Sequence, residues 1–448
     1  MEESQPMYKI DNSYILNEAQ KFITPKFGII RRCVSKRRAW GEHSYFQSSC
    51  ELSNYGRIVN MSIFPLHAVG GSLDKTHAEI SAICEALERY CGVMKNFEDD
   101  QIYISYSERQ ERNLLALDKL PACENDEYAN LHNPICRPKE KQKYFWTKCH
   151  DLINNCEIYV PSSFVFLKST FESKKELLTT PNSTGTAGGQ SIEQATVNAL
   201  LEALERDALM LTWLNQLPRD MIDVASIKQE EITKRIGAFR RMDCEVFLFD
   251  IRSDFAVPVI LCIIKSSKYP FLTVTAAAKL NVYSAVQRAL DEAYTTRNFG
   301  LFNKERHYLK NYDKAFSNVV DFEDHYALYN KPHMQNNLDF LIHNCTRQTK
   351  LNTDCSITDQ SNYPTILEYF TNEFKKRNYN LIVKDLTTSD IADSIFKFVK
   401  VISPELIYLS PNHNYRYLAN TRIKNVLPLI GFADYQNRQI TNLPHPFA

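Results

Sequence analysis

One five-residue segment, EALER, occurs twice in this chain, at Glu85–Arg89 and again at Glu202–Arg206. Placed at about 100° per residue, both copies form an amphipathic helix with an apolar stripe and a separate polar arc. The first stripe consists of Ile80, Ile83, Cys84, Leu87 and Cys91. The second consists of Val197, Leu200, Leu201, Leu204 and Ala208. The pattern predicts two similar helices, each buried along its stripe.

The likeness extends beyond the five letters, because a diglycine precedes each helix, at Gly70–Gly71 and Gly188–Gly189. Strand-like and helix-like segments alternate along the rest of the chain, without a linker rich in Pro, Gly or Ser. We therefore predict an α/β (α+β) assembly of mixed sheets and helices with an internal duplication. Residues 1–60 are predicted to be an N-terminal segment that leads into a main domain at 61–448.

The repeated carboxylates allow two interpretations. A single ExxER commonly forms surface Glu–Arg pairs that contribute only about 0.2–0.5 kcal/mol each. Two facing copies would instead gather four carboxylates, which repel one another unless a cation neutralises them. Mg²⁺ prefers such oxygen ligands and bridges nucleotide phosphates. The candidate metal ligands are Glu85, Glu88, Glu202 and Glu205, in a nucleotide site that lacks a GxxxxGK[ST] or GxGxxG loop.

A third segment, residues 284–297, predicts another helix. Its apolar side carries Val286, Ala289, Leu290 and Ala293, and its polar side carries Gln287, Arg288, Asp291 and Glu292. Taken alone, this is an ordinary amphipathic helix.

Charge and hydropathy exclude some classes of function. The 448 residues include 53 basic and 53 acidic side chains, so the chain as a whole has no net positive charge that would attract nucleic acid or an anionic membrane. The longest apolar run, 257–264, is too short to span a bilayer, and the N-terminus shows no signal region. Twelve cysteines contain no CxxC pair, which argues against structural zinc. We expect a cytoplasmic protein.

These three helices, in this order, resemble the YcaO family. The resemblance rests on SxxxExxER at Ser81–Arg89, NxxxExxER at Asn198–Arg206 and RALDE at Arg288–Glu292. Further likenesses are residues 26–31, 249–259, 324–341 and 384–406. The resemblance implies the YcaO fold and an ATP- and Mg²⁺-dependent enzyme that modifies backbone amides of peptides. Carried over residue by residue, it implies ATP binding by Ser81, Glu85, Glu88, Arg89, Asn198, Glu202, Glu205, Arg206, Arg288 and Glu292, with Lys9 as the counterpart of a phosphate-contacting N-terminal lysine.

The chain ends in NLPHPFA, which is similar to the PxPxP tail that azoline-forming YcaO members place at the active site. Pro444, His445 and Pro446 are therefore candidate catalytic residues, although Ala448 stands where the last Pro would be. Imidazole titrates near neutrality, so His445 is a candidate general base, but a histidine near a terminus is also often incidental. His67 and His77, near the first motif, have the same status.

The resemblance favours a cyclodehydratase that converts Cys, and in some cases Ser or Thr, of a ribosomally made precursor peptide into thiazolines or oxazolines, as in the biosynthesis of thiazole/oxazole-modified bacteriocins. The implied partners are the precursor peptide, a ThiF-like leader-binding protein and an FMN-dependent dehydrogenase, with the enzyme as a homodimer. One alternative is a thioamide-forming YcaO with a TfuA-type partner. Another is a non-catalytic scaffold that binds nucleotide or peptide.

Overall fold

The computed structural model describes residues 11–37, 45–56, 67–94, 101–167, 177–354, 357 and 360–447. Lys9, a predicted phosphate contact, lies outside these residues. The chain divides into two compact units, Met1–Tyr90 and Cys91–Ala448. Among the residues that the structure describes, no helix combines the length and apolar composition needed to cross a membrane.

The helices are α1 (Asn12–Gln20), α2 (Lys75–Val93), α3 (Asn125–Ala129), α4 (Ser162–Val165), α5 (Ile192–Leu214), α6 (Glu230–Arg241), α7 (Val282–Phe302), α8 (Lys304–Leu309), α9 (Phe322–Tyr329), α10 (Asp339–Ile342), α11 (Tyr363–Lys376) and α12 (Arg422–Asn425). The strands are β1 (Ile30–Arg37), β2 (Phe46–Leu52), β3 (His67–Ser72), β4 (Gln101–Ser105), β5 (Lys143–Asp151), β6 (Cys156–Pro161), β7 (Thr186–Gly189), β8 (Asp220–Ile222), β9 (Cys244–Asp250), β10 (Val259–Ser266), β11 (Leu272–Ala278), β12 (Gln348–Thr349), β13 (Ile382–Asp385) and β14 (Lys397–Ile402). This mixture confirms the α+β class.

The first unit contains the antiparallel sheet β1-β2-β3 and most of α2, which carries the first EALER copy. Gly70 in β3 lies directly against α2, because a Cβ atom there would collide with the carbonyl oxygen of Ala78. The diglycine therefore permits close packing of strand and helix. Of the predicted stripe on α2, Ile83, Leu87 and Cys91 are buried, whereas Ile80 and Cys84 are partly exposed.

The second unit has two sheets, with α5 between them. One sheet has the order β11-β10-β9-β8-β12, and the other has β4-β5-β13-β14-β7 with β6 paired to β5. Helix α5 contacts β10 and β11 of the first sheet and β7 and β14 of the second. All five residues of its predicted stripe are buried, but so are residues outside it, such as Ala199 and Ala203. A helix covered on both sides becomes apolar nearly all round.

The strands predicted at β9, β10 and β11 and the helix predicted at α7 are all present. Helix α7 packs on β10, β11 and α6. One detail of the prediction is wrong, because Asp291 does not share the exposed polar side of α7. It is buried and accepts hydrogen bonds from Arg235 of α6, with Nε–Oδ1 and Nη2–Oδ2 distances of 2.8 and 3.0 Å. This pairing neutralises a carboxylate that would otherwise be costly to bury.

Candidate nucleotide site

Glu202 and Glu205 lie one turn apart on α5, and a backbone amide holds each carboxylate. The amide of Gly185, just before β7, donates to Oε2 of Glu202 at 3.1 Å. The amide of Ala278, the last residue of β11, donates to Oε2 of Glu205 at 3.0 Å. Gly185 has a φ of +78°, a left-handed conformation that favours glycine. The two carboxylates are thus fixed by elements of two different sheets.

Arg206 lies beside both carboxylates but is only loosely paired with them. Its Nη2 atom is 3.7 Å from Oε1 of Glu202, and its Nε atom is 3.7 Å from Oε1 of Glu205. Charge-assisted hydrogen bonds are usually about 2.7–2.9 Å long. The Nε atom is buried and has no hydrogen-bond partner among the described residues. A buried guanidinium donor without a partner is suited to an anion supplied from outside the protein.

Burial and the charge of Glu292 oppose the ionisation of both carboxylates. Burial, together with the neighbouring charge of Glu292, raises the pKa of Glu205 to about 8 against the opposing charge of Arg206. Burial also raises the pKa of Glu202, against the opposing charges of Arg206 and Lys400. A divalent cation would relieve this repulsion and hold both carboxylates in their ionised form. The donors present therefore fit Mg²⁺ accompanied by an anion.

Helix α7 contributes an ion pair to the same cluster. The Nε atom of Arg288 lies 2.8 Å from Oε1 of Glu292, and both side chains are partly exposed. Because the charge of Glu292 acts on Glu205, the third predicted helix belongs with the second motif. The structure thus brings together the predicted residues Glu202, Glu205, Arg206, Arg288 and Glu292.

Sequence reasoning missed two lysines of this cluster, Lys279 and Lys400. Lys400 in β14 is fully buried, and its Nζ atom donates to the carbonyl oxygens of Thr184 at 2.7 Å and Asn182 at 2.8 Å. It thereby supports the loop that leads to Gly185. A single lysine inside the otherwise apolar strand segment FVKVI was a signal that could have identified it.

The first EALER copy repeats the arrangement of the second within its own unit. The amide of Val69 donates to Oε2 of Glu85 at 3.0 Å, and Nη2 of Arg89 donates to Oε1 of Glu85 at 2.6 Å. Glu88 is partly exposed on the same helix. In both copies, the first glutamate accepts from the backbone next to or within the preceding strand. The internal duplication thus extends from sequence to hydrogen bonding.

The polar residues that open the two motifs lie beside the diglycines. Nδ2 of Asn198 donates to the carbonyl oxygen of Gly188 at 2.9 Å. Ser81 lies against Gly70, since a Cβ on that glycine would contact its side chain. No group of three or more His, Cys, Asp or Glu side chains within the described residues is assembled to hold a metal ion. Mg²⁺ commonly binds one or two carboxylates together with substrate phosphates, so it needs no complete protein cage.

Comparison with known protein families identifies the family of this chain. The family model described as the YcaO cyclodehydratase, ATP- and Mg²⁺-binding, matches residues 69–407, which is most of the chain. The chain belongs to the YcaO family. ATP and Mg²⁺, the cofactors expected from the sequence, are those of this family.

Two relatives of this YcaO chain have uncharacterised functions. One, from Methanothermobacter thermautotrophicus, is 25% identical over 51% of this chain and 56% of its own length. The other, from Rhizobium leguminosarum bv. trifolii, is named for its place in the tfuA 3′ region and is 25% identical over 44% of both chains. The chain therefore spans about half the length of the relatives it matches.

Three solved structures share the YcaO fold. A heterocyclase in complex with substrate and cofactor aligns with a TM-score of 0.79 at 18% identity, over 100% of this chain and 59% of the other. YcaO from Methanopyrus kandleri, bound with AMPPCP and Mg²⁺, aligns with a TM-score of 0.62 at 18% identity, over 89% of this chain and 91% of the other. The Escherichia coli microcin synthetase McbBCD complex with pro-MccB17 bound aligns with a TM-score of 0.60 at 15% identity, over 84% of this chain and 88% of the other.

The C-terminal segment of this YcaO protein is buried in the second unit. The hydroxyl of Tyr329 donates to the carbonyl oxygen of Pro444 at 2.7 Å, and Phe447 forms a β-bridge with Val274 in β11. Pro446 and Phe447 also line an apolar pocket with Trp213 of α5. The segment is thus packed along the second-motif helix.

Both ring nitrogens of His445 are engaged within this segment. Nε2 lies 2.8 Å from the carbonyl oxygen of Ser410, and Nδ1 accepts from the amide of Phe447 at 3.3 Å. Burial lowers the pKa of His445 well below its usual value, and the charges of neighbouring groups, among them Arg206, add to this. In this arrangement the ring anchors the tail, and it has no free lone pair with which to accept a proton from a substrate. The effect of Arg206 places the tail within electrostatic range of the carboxylate cluster.

Proposed function

We propose that this protein is an ATP-dependent YcaO cyclodehydratase that converts Cys, and in some cases Ser or Thr, of a ribosomally made precursor peptide into thiazolines and oxazolines. The observation that carries this proposal is the buried Pro444–Phe447 segment, which packs along the helix that bears Glu202, Glu205 and Arg206. A tail held beside a nucleotide-binding helix can help to position the peptide for attack.

We further propose that the two ExxER motifs and the α7 pair bind ATP and Mg²⁺. In this role the carboxylates of Glu85, Glu88, Glu202 and Glu205 hold Mg²⁺, and the buried Nε of Arg206 donates to phosphate. Bound ATP supplies the phosphoryl group that turns an amide oxygen into a leaving group. The chain's own contribution is then positioning and charge neutralisation, which account for most of the catalysis of phosphoryl transfer.

The proposed partners follow from the same family. We propose a separate ThiF-like protein that binds the leader of the precursor, an FMN-dependent dehydrogenase that oxidises the azolines, a homodimeric enzyme and a cytoplasmic location. The similar fold of the McbBCD complex, which has pro-MccB17 bound, supports the assignment of a peptide substrate and of partner proteins. Biosynthesis of a thiazole/oxazole-modified bacteriocin would be the setting.

A second candidate function is formation of a thioamide with a TfuA-type partner. The relative encoded in the tfuA 3′ region favours this candidate. The buried Pro444–Phe447 segment supports azoline formation, because the resemblance implies a Pro-rich segment near the nucleotide site in the azoline-forming branch. The two reactions give products of different mass.

The test is a reconstituted reaction followed by mass spectrometry of the peptide. Purified protein, ATP, Mg²⁺, the ThiF-like partner and the precursor are expected to yield a peptide lighter by one water for each cyclised residue. A peptide heavier by the difference between sulfur and oxygen, formed only with sulfide and a TfuA-type protein, would instead establish the thioamide. Unchanged peptide together with no ATP turnover would leave only the non-catalytic scaffold.

A further inference from the structure

We propose that Lys279 is a further phosphate-binding residue of this protein and supplies the charge that a P-loop lysine supplies in other nucleotide sites. The proposal rests on the proposed function, because it assigns a ligand to the same cluster. Lys279 belongs to none of the three helical motifs, and the chain contains no GxxxxGK[ST] sequence from which such a lysine could come.

The backbone fixes the position of Lys279 from both sides. The preceding residue, Ala278, ends β11 and donates its amide to Oε2 of Glu205 at 3.0 Å. The amide of Lys279 itself donates to the carbonyl oxygen of Pro258 at 3.2 Å. Lys279 is the first residue after β11, and these two hydrogen bonds hold its backbone next to the carboxylate of Glu205.

The side chain is half-buried among charges and yet has no partner. Burial and the charge of Arg288 lower the pKa of Lys279, whereas Glu205, Glu292 and Glu202 act in the opposite direction. All four groups are thus close enough to act on its ammonium. No ion pair or hydrogen bond joins Nζ of Lys279 to any other residue that the structure describes, so its three donors are unused.

Two other cations of the cluster are already engaged. Arg288 pairs with Glu292 at 2.8 Å, and Lys400 donates to two carbonyl oxygens. Arg206 is only loosely paired, at 3.7 Å, and its buried Nε is the donor proposed above for phosphate. Within the described part of this cluster, Lys279 is therefore a second cation, besides Arg206, that is available to an incoming anion.

Phosphate is the anion that fits this position. With Mg²⁺ bound, Glu202 and Glu205 would no longer compete for the ammonium of Lys279. A nucleoside triphosphate with one bound Mg²⁺ still carries net negative charge, and lysine is a common point-charge partner of phosphate. A cation without an acceptor, held beside proposed Mg²⁺ ligands, matches that requirement.

The test compares Lys279→Met with Lys279→Arg, and uses Lys265→Met as the matched control. Lys265 pairs with Leu272 at the opposite end of the β10–β11 register from Ala278, and it is also partly exposed. Calorimetry with AMPPCP and Mg²⁺ is expected to show binding weakened about tenfold or more in Lys279→Met, the loss typical of one charged hydrogen bond. AMP binding should change less than twofold, Lys279→Arg should recover most of the affinity, and Lys265→Met should bind like the parent.

The outcomes separate this inference from the proposed function. If Lys279→Met binds AMPPCP like the parent while Glu202→Ala does not bind it, the inference is overturned and the nucleotide site stands. If AMP and AMPPCP weaken equally and the melting temperature also falls, Lys279 is a structural residue and the inference is again overturned. If the parent protein binds no AMPPCP at all, the proposed function is refuted, and the inference about Lys279 is overturned with it.

Discussion

The imidazole ring of His445 stacks on that of His325, with centroids 3.7 Å apart and the planes within 1° of parallel. A polar contact accompanies the stack, because Nδ1 of His325 lies 2.8 Å from the carbonyl oxygen of His445. Two imidazolium rings at this distance would repel each other, so the contact requires that at least one of the rings be uncharged. The C-terminal segment is thus joined to α9 by a contact that protonation opposes.

The first prediction concerns pH. Burial lowers the pKa of His325 to about 4 from its ordinary value of 6.5. Between these values the unfolded chain binds more protons than the folded one, so stability is full above about pH 6.5 and declines as the pH falls toward 4. We expect the melting temperature to drop between about pH 7.5 and pH 5, and to drop less in His325→Gln. Differential scanning fluorimetry measures both, with exposed His132→Gln as control. Equal slopes for all three proteins would contradict the assignment.

The second prediction concerns the tail. Phe447 is 5% exposed and lines the apolar pocket with Trp213. Phe447→Ala should lower the free energy of unfolding by about 3 kcal/mol, because it removes a buried ring and leaves a cavity. Trp213 fluorescence should shift to longer wavelength as water enters. Phe302→Ala is the matched control, because Phe302 is 85% exposed and its replacement should hardly change the free energy of unfolding. A similar urea midpoint for both variants would show that the tail is not docked in solution.

The third prediction concerns the second motif. Glu202→Ala and Arg206→Ala should each abolish ATP turnover, because one removes a proposed Mg²⁺ ligand and the other a buried cation beside it. Peptide binding should remain largely intact in a fluorescence-anisotropy assay. Glu230→Ala, at an exposed carboxylate of α6, serves as control for turnover. Turnover that survives either substitution would mean that the site has been placed at the wrong residues.

The fourth prediction sets stability against activity at Glu205. Its pKa is raised to about 8 from an ordinary 4.5, so its contribution to stability is present below about pH 4.5 and is lost as the pH rises through 8. Glu205→Gln cannot ionise, and its side-chain oxygen can still accept from the amide of Ala278. We expect the variant to melt on the order of 1–3 °C higher than the parent near pH 8. ATP turnover, measured by phosphate release, should fall sharply. A variant that melts lower than the parent would refute the electrostatic account.

Local pattern was sufficient to predict the helices but not their surroundings. The repeat at Glu85–Arg89 and Glu202–Arg206 and the strands β9 to β11 were readable, because amphipathic and β-branched patterns are properties of a short segment. The nearly complete burial of α5 was not, since it depends on two sheets built from distant parts of the chain. For the same reason Lys279 and Lys400 escaped notice. Their roles arise from neighbours such as Glu205 and Thr184, which lie far away in sequence.

The donors that hold Glu202 and Glu205 are backbone amides, at Gly185 and Ala278. Every residue except proline carries that N–H group, so at Ala278 the contact does not depend on which side chain evolution selects. The hydrogen bonds therefore require particular side chains at few positions, chiefly the glutamates and the left-handed glycine, and they place no such requirement on the strand that presents the amide. The geometry of the site depends more on the path of the backbone than on the identity of its side chains. Such a site is compatible with a fold that is shared at 15–18% sequence identity.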